Sequence, residues 1–464
     1  MHEPLTFETR LADAFERYLT GAPVAIDERA FTAALETLAP TTSPFRSPTL
    51  ARRRLAIGLL LAILVAAITA SALLVLGHPS PQPLLQANLP VFATVGRVGT
   101  GYEQPVVVTM LDGRVLISNG ESADIFDPAT GQTTAVSANR PIGLGRGILL
   151  PDGRVLVIHF DTNSTSSYAY IFDPVTSQWH DLPQPGFSNA PPFGVEPSIS
   201  LLQDGRVLLT GGLADVYRDD VLSSAMIFDP ASEKFTRTGA MRDARRWQAS
   251  VTLADGRVLV AAGEEKNGDV STDVVGSHLS KRSFLSSAEL YDPSLGTFAV
   301  TGSLTSVRGE AIAVLLADGR VLVAPRASGW GEEWRNSQLE GPIPDGVATP
   351  TELYDPTTGI FSLGPSIPGA AATATVLSDG RVLLTGERVR AGAPRSMEGW
   401  IPWSAIFDPS TQSVVDGPVP PARIAQASLL LDGRILFAGG LAGEDPVNGG
   451  GVAALTLETF SWRP

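Results

Sequence analysis

The sequence has no cysteine and only five histidines among its 464 residues. Without thiols, the chain cannot form disulfides, thiolate metal sites or a cysteine nucleophile. The histidines are too scattered to supply the three or four converging ligands that a first-row metal site needs. The nucleophile elbow, the phosphate-binding loop and the dinucleotide fingerprint are missing as well. We therefore expect neither a metal nor a cofactor, and no motif indicates catalysis.

Positive charge is also scarce. Lysine and arginine together number 34 against 48 aspartates and glutamates, which gives a net charge of −14. Proteins that bind nucleic acid usually present a basic surface, so we expect no nucleic-acid partner. Apolar residues make up 44% of the chain, which is enough for a large core.

What the sequence has in abundance is a repeated pair of turn motifs. Asp-Gly-Arg occurs seven times, beginning at Asp112, Asp152, Asp204, Asp255, Asp318, Asp379 and Asp432. An aromatic residue followed by Asp-Pro comes after six of these copies, at Phe126, Phe172, Phe228, Tyr291, Tyr354 and Phe407. Successive Asp-Gly-Arg copies are between 40 residues (Asp112 to Asp152) and 63 residues (Asp255 to Asp318) apart. Such a period is typical of one propeller blade.

Each copy of the pattern predicts a four-stranded antiparallel sheet. Around Asp204, alternating apolar strands flank Asp-Gly, and a third and a fourth strand flank Asp229-Pro230. Asp-Gly between alternating strands predicts a hairpin with positive φ at both central residues. Proline presets φ for the second turn, and the aspartate before it can accept bonds from nearby backbone amides. We expect the seven turn aspartates to be structural, with the arginine after each pairing with an aspartate of a neighbouring turn.

These motifs resemble the kelch repeat, in the bacterial form also found in galactose oxidase-type propellers. The match runs from Asn88 to Pro464. The resemblance implies an all-β fold, a kelch-type β-propeller of four-stranded blades around a channel. We predict seven blades, with six blades and an irregular closure as the alternative. Copper-radical oxidation is excluded, because the tyrosine cofactor of galactose oxidase is cross-linked to a cysteine and this chain has none.

The two ends of the repeat region predict how the ring closes. The seventh copy lacks Asp-Pro and keeps only a strand-like stretch from Ala454 to Thr459. The segment 90–98 resembles the fourth strand of a blade, and Thr459 to Trp462 resembles one too. Because a closed propeller must join its first and last blades, we predict that the N-terminal strand docks at the last blade.

The residues before the repeats divide into three parts. Residues 1–50 are predicted to form a small helical cytoplasmic region, since apolar residues fall on one helical face. Residues 51–77 hold three arginines and then an uncharged run, 55–76, which can cross a bilayer at about 20 residues per span. Residues 78–89 are a Pro-rich stalk. Residues 90–464 then form the propeller.

The arginines at Arg52, Arg53 and Arg54 predict the orientation of the apolar run. The positive-inside rule places them and the N-terminus in the cytoplasm, and the propeller outside. We therefore predict a single-pass membrane protein. A cleaved signal peptide fits less well, because its apolar stretch is shorter and begins near the N-terminus. A domain outside the cytoplasm without disulfides is more typical of a bacterial cell envelope than of a eukaryotic surface.

Strand alternation divides the loops of a propeller between two faces. The one-to-two and three-to-four turns share the turn face, and the two-to-three and four-to-one connections share the variable-loop face. Long loops of the latter carry four of the seven tryptophans, Trp330, Trp334, Trp400 and Trp403. Exposed tryptophans beside charged residues suit stacking on sugars or a protein hot spot. The alternative is that they pin the loops onto the ring.

Arginines recur in the connections of the variable-loop face, near the predicted channel mouth. Several guanidinium groups there can clamp a carboxylate or a phosphate. His159 stands where blades three and seven have a double glycine. The candidate ligand-binding residues are therefore the four tryptophans with His159, Arg245, Arg246, Arg308, Arg326 and Arg423. The alternative is packing, a role that arginine often has at this position in kelch repeats.

We interpret the chain as a membrane-anchored, extracytoplasmic binding module for a cell-envelope glycan or protein. A propeller enzyme acting on carbohydrate is one alternative. A transmembrane sensor that signals through the N-terminal helices is another. The fold alone does not decide among them, because propellers serve many functions.

Overall fold

The computed structural model describes residues 92–102, 105–118, 122–137, 144–160, 167–182, 196–215, 220–266, 271–272, 278–279, 282–326, 348–389, 400–420, 426–444 and 451–461. The predicted N-terminal helices, membrane span and stalk lie outside these ranges. The chain divides into two units, Met1–Leu84 and Leu85–Pro464, and every described residue belongs to the second. All elements in the described part are strands, and none of its segments is a helix long and apolar enough to cross a membrane.

The first half of the described chain contains a leading strand and three blades. The leading strand is β1 (Phe92–Tyr102). Blade one consists of β2 (Val106–Thr109), β3 (Val115–Ser118), β4 (Ala123–Asp127) and β5 (Gln132–Val136). Blade two consists of β6 (Leu144–Leu149), β7 (Val155–Phe160), β8 (Ser167–Asp173) and β9 (Gln178–Asp181). Blade three contains β10 (Ser198–Leu201), β11 (Val207–Thr210), the ribbon of β12 (Leu213–Asp215) and β13 (Asp220–Val221), β14 (Ala225–Asp229) and β15 (Lys234–Arg237).

The second half contains four more blades. Blade four contains β16 (Ala249–Thr252), β17 (Val258–Ala261), the short strands β18 (Glu264–Lys266), β19 (Ser271–Thr272), β20 (His278–Leu279) and β21 (Arg282–Phe284), then β22 (Ala288–Asp292) and β23 (Thr297–Val300). Blade five consists of β24 (Ala311–Leu315), β25 (Val321–Pro325), β26 (Thr349–Asp355) and β27 (Ile360–Ile367). Blade six consists of β28 (Ala370–Val376), β29 (Val382–Val389), β30 (Trp400–Asp408) and β31 (Ser413–Asp416). Blade seven contributes β32 (Gln426–Leu429), β33 (Ile435–Ala438), β34 (Leu441–Glu444) and β35 (Gly451–Phe460).

The seven sheets form a seven-blade β-propeller whose ring is closed by the N-terminal strand. β1 pairs antiparallel with β35, from Phe92 opposite Phe460 to Tyr102 opposite Ala454, and so becomes the fourth strand of blade seven. The predicted docking of the N-terminal strand at the last blade is confirmed. The prediction of a fourth strand from Thr459 to Trp462 is wrong, because Thr459 and Phe460 end the third strand, β35.

The core of the propeller lies between its blades. Buried apolar residues form seven clusters, and each cluster joins one blade to the next around the ring. The aromatic residue before each Asp-Pro inserts into the interface with the preceding blade, as Phe228 does between blades two and three. It is at most 1% exposed in every described blade that carries it. Burying such a side chain contributes about 1.5–3 kcal/mol. The repeated motif therefore joins neighbouring blades.

Two of these aromatic residues also bond to the blade before them. The Tyr291 hydroxyl lies 2.7 Å from Thr238 Oγ1 of blade three. The Tyr354 hydroxyl lies 2.8 Å from Thr301 Oγ1 of blade four. Since a buried phenol needs a hydrogen-bond partner, the tyrosines replace phenylalanine only where the neighbouring blade offers one.

The Asp-Gly-Arg turns differ from the predicted two-residue hairpin. In blade one, the Met110 amide donates to the Arg114 carbonyl and the Gly113 amide to the Met110 carbonyl, which leaves three residues in the loop. Only the glycine has positive φ, +87° at Gly113, while Asp112 does not. This is a type I turn followed by a left-handed glycine, the commonest three-residue hairpin loop. The prediction of positive φ at both residues is wrong.

The turn aspartate caps its own arginine in all seven copies. Its two oxygens accept from the arginine backbone N at 3.0–3.1 Å and from Nε at 2.8–2.9 Å. Four of these arginines also donate to the Asp-Pro carbonyl of the next blade, as Arg154 does to Pro230 at 2.9 Å. The predicted pairing with a neighbouring turn's aspartate is wrong. The arginine pairs within its own turn, four of the seven reach the next blade through a carbonyl, and Arg154 also pairs with Glu233 of blade three at 2.5 Å.

Candidate ligand-binding site at the channel mouth

The first strands of all seven blades surround a central cavity of about 320 Å³. Apart from Arg326, which follows the second strand of blade five, its lining residues belong to the first strands or directly precede them, mostly at the end that faces the variable-loop face. Ligand pockets commonly have volumes of 300–1,000 Å³, so a small ligand fits here. Most lining residues are small or carry hydroxyl or amide groups, and Arg146 and Arg326 are the charged ones. The cavity is a polar pocket at the channel mouth.

Arg146 occupies a position where the other blades carry no charge. In β6 it pairs with Ile158 of β7. The residues at the same register in the other first strands are Val106, Ser198, Ala249, Ile312, Thr373 and Gln426. Blade two is thus the one blade whose first strand places a charge at this level of the channel.

The glycines on either side of Arg146 explain how this strand fits. A Cβ at Gly147 would lie 2.3 Å from Val106 Cγ1, and one at Gly145 would lie 3.1 Å from Val106 Cγ2. The two glycines therefore let Val106 of blade one pack against β6. Because side chains alternate along a strand, Arg146 points away from Val106 and lines the cavity.

Arg146 is half-buried and lines an open channel. Burial is the main influence that lowers its pKa, to about 10, and the positive charge of Arg326 lowers the pKa further. The carboxylates of Glu196 and Glu310 act in the opposite direction without cancelling the shift. Arg146 is still protonated at neutral pH, so the channel holds a poorly solvated positive charge.

Two residues that line the cavity each have a buried side-chain atom that lacks a partner within the described part of the chain. One of these atoms is the donor Arg146 Nε and the other is the acceptor Gln248 Oε1. The orientation of the Gln248 amide follows from its nitrogen, which donates to the Thr210 carbonyl at 2.8 Å. Buried polar groups are normally hydrogen-bonded, so an unmatched donor and acceptor in one polar cavity indicate a place for a polar ligand.

Two residues at the rim of the cavity have strained backbones. Glu196 has φ of 60° and Trp247 has φ of 57°, values that bulky residues rarely adopt. The Trp247 indole donates to Glu196 Oε2 at 2.5 Å. The Arg246 guanidinium lies over the Trp247 ring, 3.9 Å from its centroid. Strained residues that persist through such contacts cluster at functional sites.

Most of the arginines predicted from the sequence are engaged in buried ion pairs. Arg245 is completely buried and lies 3.1 Å from Glu289, and Arg308 lies 3.1 Å from Glu352. Arg246 pairs with buried Glu264. Burial lowers the pKa of Arg245, and Glu289 and Asp243 only partly oppose this. These arginines hold the four-to-one connections against the third strand of the same blade or the adjacent two-to-three loop.

The structure places the remaining candidates differently. Arg326 lines the cavity together with Arg146. His159 is buried, and its ring stacks on Tyr168 at 6.4 Å between centroids. Trp403 is buried in the core between blades five and six, and the backbone of Trp400 pairs with Val389 in blade six. Trp330, Trp334 and Arg423 lie outside the described residues.

Arg146, Glu196 and Gln248 were missed by reasoning from the sequence. The signal for Arg146 was the sequence Gly145-Arg146-Gly147 in a first strand, at a register where the aligned copies are uncharged. Glu196 and Gln248 belong to irregular segments before first strands, where no pattern predicts side-chain direction. As for metals, no group of three or more histidines, aspartates and glutamates that could hold an ion occurs among the described residues.

Comparison with known proteins identifies no family. No family model matches the chain, and no curated protein matches it. Among solved structures, the chain is similar to a novel fungal alcohol oxidase of the AA5 family in complex with copper. The identity is 16%, the match covers 69% of this chain and 74% of the oxidase, and the TM-score is 0.38. Because this structural similarity is low, the assignment of the propeller fold rests on the seven sheets themselves.

Proposed function

We propose that this chain is a binding module that recognises a cell-envelope glycan at the variable-loop face of a kelch-type propeller. The polar cavity at the channel mouth is the observation that carries the proposal. It opens on that face, contains two guanidinium groups and is lined by hydroxyl and amide side chains. Sugars are recognised through such groups together with aromatic surfaces.

The regularity of the opposite face supports the choice of the variable-loop face. On the turn face, the turn aspartates and arginines are already bonded to each other in every copy. A group whose bonds are satisfied within the fold has little left to offer a ligand. Recognition in propellers is carried by irregular loops on a fixed scaffold.

The membrane anchor belongs to the same proposal and is supported by the sequence. An uncharged run at 55–76 behind three arginines predicts a single crossing, with the N-terminus in the cytoplasm and the propeller outside. The enzyme and sensor alternatives stay predictions of the sequence. The test is protease treatment of intact cells, which should degrade the propeller and spare an epitope placed at the N-terminus.

The binding proposal is tested by titrating the full-length protein, purified in detergent, with fragments of envelope polysaccharide. Intrinsic tryptophan fluorescence is the readout, because Trp247 stands at the rim of the cavity and Trp330 and Trp334 belong to a loop predicted on this face. The variant Trp330→Ala/Trp400→Ala should weaken binding about tenfold or more, as expected for aromatic hot spots.

A matched control comes from the turn face. Val175 and Leu295 are 91% and 71% exposed there, so Val175→Ser/Leu295→Ser should leave both the fold and the affinity unchanged. A loss of binding in this control, or no saturable change with any polysaccharide fragment, would contradict the proposal. The second result would redirect the search to a protein ligand.

A further inference from the structure

We propose that the channel mouth binds a small hydroxylated carboxylate, such as the uronic acid unit of a polysaccharide, with Arg146 binding the carboxylate. This inference rests on the proposed function and specifies the chemical class of its ligand. It concerns the cavity formed by the first strands rather than the tryptophan loops.

The Arg146 guanidinium is not fully hydrogen-bonded within the described part of the chain. It faces a cavity large enough for a small ligand, and its Nε has no partner within the described part of the chain. Arg146 is half-buried, and a charge that is partly removed from water is stabilised by an ion pair and by hydrogen bonds. An arginine in this state favours the planar, two-oxygen geometry of a carboxylate, which matches the guanidinium fork.

Other charged residues around the channel also act on Arg146. Arg326 belongs to blade five and acts on Arg146 as a like charge, which favours an anion in the shared cavity. Glu196 contributes an opposing charge, but one of its oxygens already accepts from the Trp247 indole. Glu310 is buried beside Arg326, whose backbone amide donates to the Glu310 carbonyl. Glu196 and Glu310 each influence the pKa of Arg146 less than Arg326 does, and they only partly compensate its lowering.

Gln248 is the reason to expect a hydroxyl group on the ligand. Gln248 lines the same cavity, and its buried acceptor Oε1 has no donor within the described part of the chain. A plain carboxylate has no proton to give it at neutral pH. A hydroxylated carboxylate supplies both the acceptor that Arg146 needs and the donor that Gln248 needs. The hydroxyl groups of Ser250 and Thr373 line the same cavity.

This arrangement is formed before a ligand arrives. The bond from Trp247 to Glu196 holds two residues with positive φ at the rim. The Ser198 hydroxyl donates to the Gln248 carbonyl at 2.9 Å and joins blades three and four at the cavity wall. Preorganised groups lose little entropy on binding, so they favour affinity for one ligand geometry.

The experiment is isothermal titration of the full-length protein with glucuronate, glucose and inorganic phosphate as probes. We expect saturable binding of glucuronate, and glucose weaker by at least about tenfold because it lacks the charged acceptor. Arg146→Gln should weaken glucuronate binding by about tenfold or more. The affinity of Arg146→Lys should lie between those of the natural protein and Arg146→Gln. Arg326→Gln, at a half-buried position, should give a smaller loss.

Arg237→Gln is the matched control, because Arg237 is exposed on the outer strand of blade three and should not affect binding. Circular dichroism and thermal melting show whether each variant is folded. Glucuronate binding that is unchanged in both Arg146→Gln and Arg326→Gln would overturn the inference. So would phosphate binding more tightly than glucuronate through Arg146.

The outcomes also separate this inference from the proposed function. Polysaccharide fragments that bind while glucuronate does not would overturn the carboxylate ligand and leave the glycan function standing. Glucuronate that binds through Arg146 while no polysaccharide fragment binds would support the inference and contradict the glycan function. Absence of binding by every probe to the folded protein would overturn both.

Discussion

The two faces of the propeller use arginine in different ways. On the turn face, seven arginines make the same two bonds to the aspartate of their own turn, and several reach the next blade. At the channel mouth, Arg146 stands at a register where six other blades place uncharged residues. A feature repeated in every blade has a structural role in the ring, because a small ligand cannot contact seven equivalent sites at once. A feature present in one blade is where a specific ligand can be recognised.

A third group of arginines lies between these cases. Arg245 and Arg308 sit on the variable-loop face, yet each is buried against a third-strand glutamate of its own blade. Their repetition in blades four and five, and their buried ion pairs with glutamate, favour a structural role. Repetition and pairing therefore distinguish structural arginines from candidate binding arginines. The face on which an arginine lies does not distinguish them.

The largest expected effect comes from breaking one of these structural ion pairs. Glu289→Ala removes the nearer of the two carboxylates around Arg245 and leaves a charge with no solvent contact next to Asp243 at 3.5 Å. Such a change costs about 3–5 kcal/mol of unfolding free energy. Chemical denaturation measures it. The exposed pair of Lys266 and Asp220 is the control, and Asp220→Ala should cost no more than about 1 kcal/mol.

If Glu289→Ala costs no more than Asp220→Ala, the buried arginines are not structural. They would then become candidates for ligand binding again. A binding titration of the same variant completes the test. We expect the folded Glu289→Ala protein to bind glucuronate with unchanged affinity.

An intermediate effect is expected in the turns themselves. Gly205 and Gly319 both have φ of +87°, so alanine at either position is strained by about 1–2 kcal/mol. A Cβ at Gly205 would also lie 2.9 Å from Pro151 Cγ of the preceding blade, whereas nothing lies within 4 Å of one at Gly319. Gly205→Ala should therefore destabilise the protein more than Gly319→Ala. Equal losses in thermal melting would show that the turns do not contact each other tightly.

The smallest expected effect is the pH dependence of a single turn. Burial alone would raise the pKa of Asp204, but its bonds from Arg206 outweigh burial and hold the pKa below its ordinary value. A carboxyl with a depressed pKa stabilises the fold above its unfolded pKa, near 3.9, and this contribution disappears as pH falls through the folded value. Asp204→Asn should cost about 1 kcal/mol at pH 7.

The difference between Asp204→Asn and the natural protein should begin to shrink below about pH 4, where the unfolded chain takes up the proton, and should disappear below the depressed folded pKa, where both side chains are uncharged. The measurement is the unfolding free energy of the two proteins from pH 7 to pH 2. A difference that stays constant over this range would mean that the charge of Asp204 contributes nothing to the turn.

The sequence was sufficient for features that depend on neighbouring residues. Asp-Gly-Arg and aromatic-Asp-Pro define each blade locally, so the seven-blade ring and the docking of β1 could be predicted. The last blade was partly misassigned because β35 lacks the Asp-Pro that marks the end of a third strand. The loop length of the Asp-Gly turns was also wrong, since two- and three-residue hairpins share this dipeptide.

The channel mouth could not be predicted because its residues meet only in the folded ring. Arg146, Glu196 and Gln248 come from blades two, three and four, and no local spacing relates them. The buried ion pairs were closer to being predictable. Arg245 and Glu289 are separated by 44 residues, as are Arg308 and Glu352, and this shared separation indicates a structural pair.

The most direct test of the difference between the faces is amide hydrogen exchange of the full-length protein with and without saturating glucuronate. The account predicts slower exchange in peptides that contain Gly145–Gly147, Ser198–Ile199 and Gln248–Ser250 at the channel mouth. It predicts no change in the seven Asp-Gly-Arg turns. Protection of the turns, with the first strands unaffected, would contradict the assignment of ligand binding to the variable-loop face.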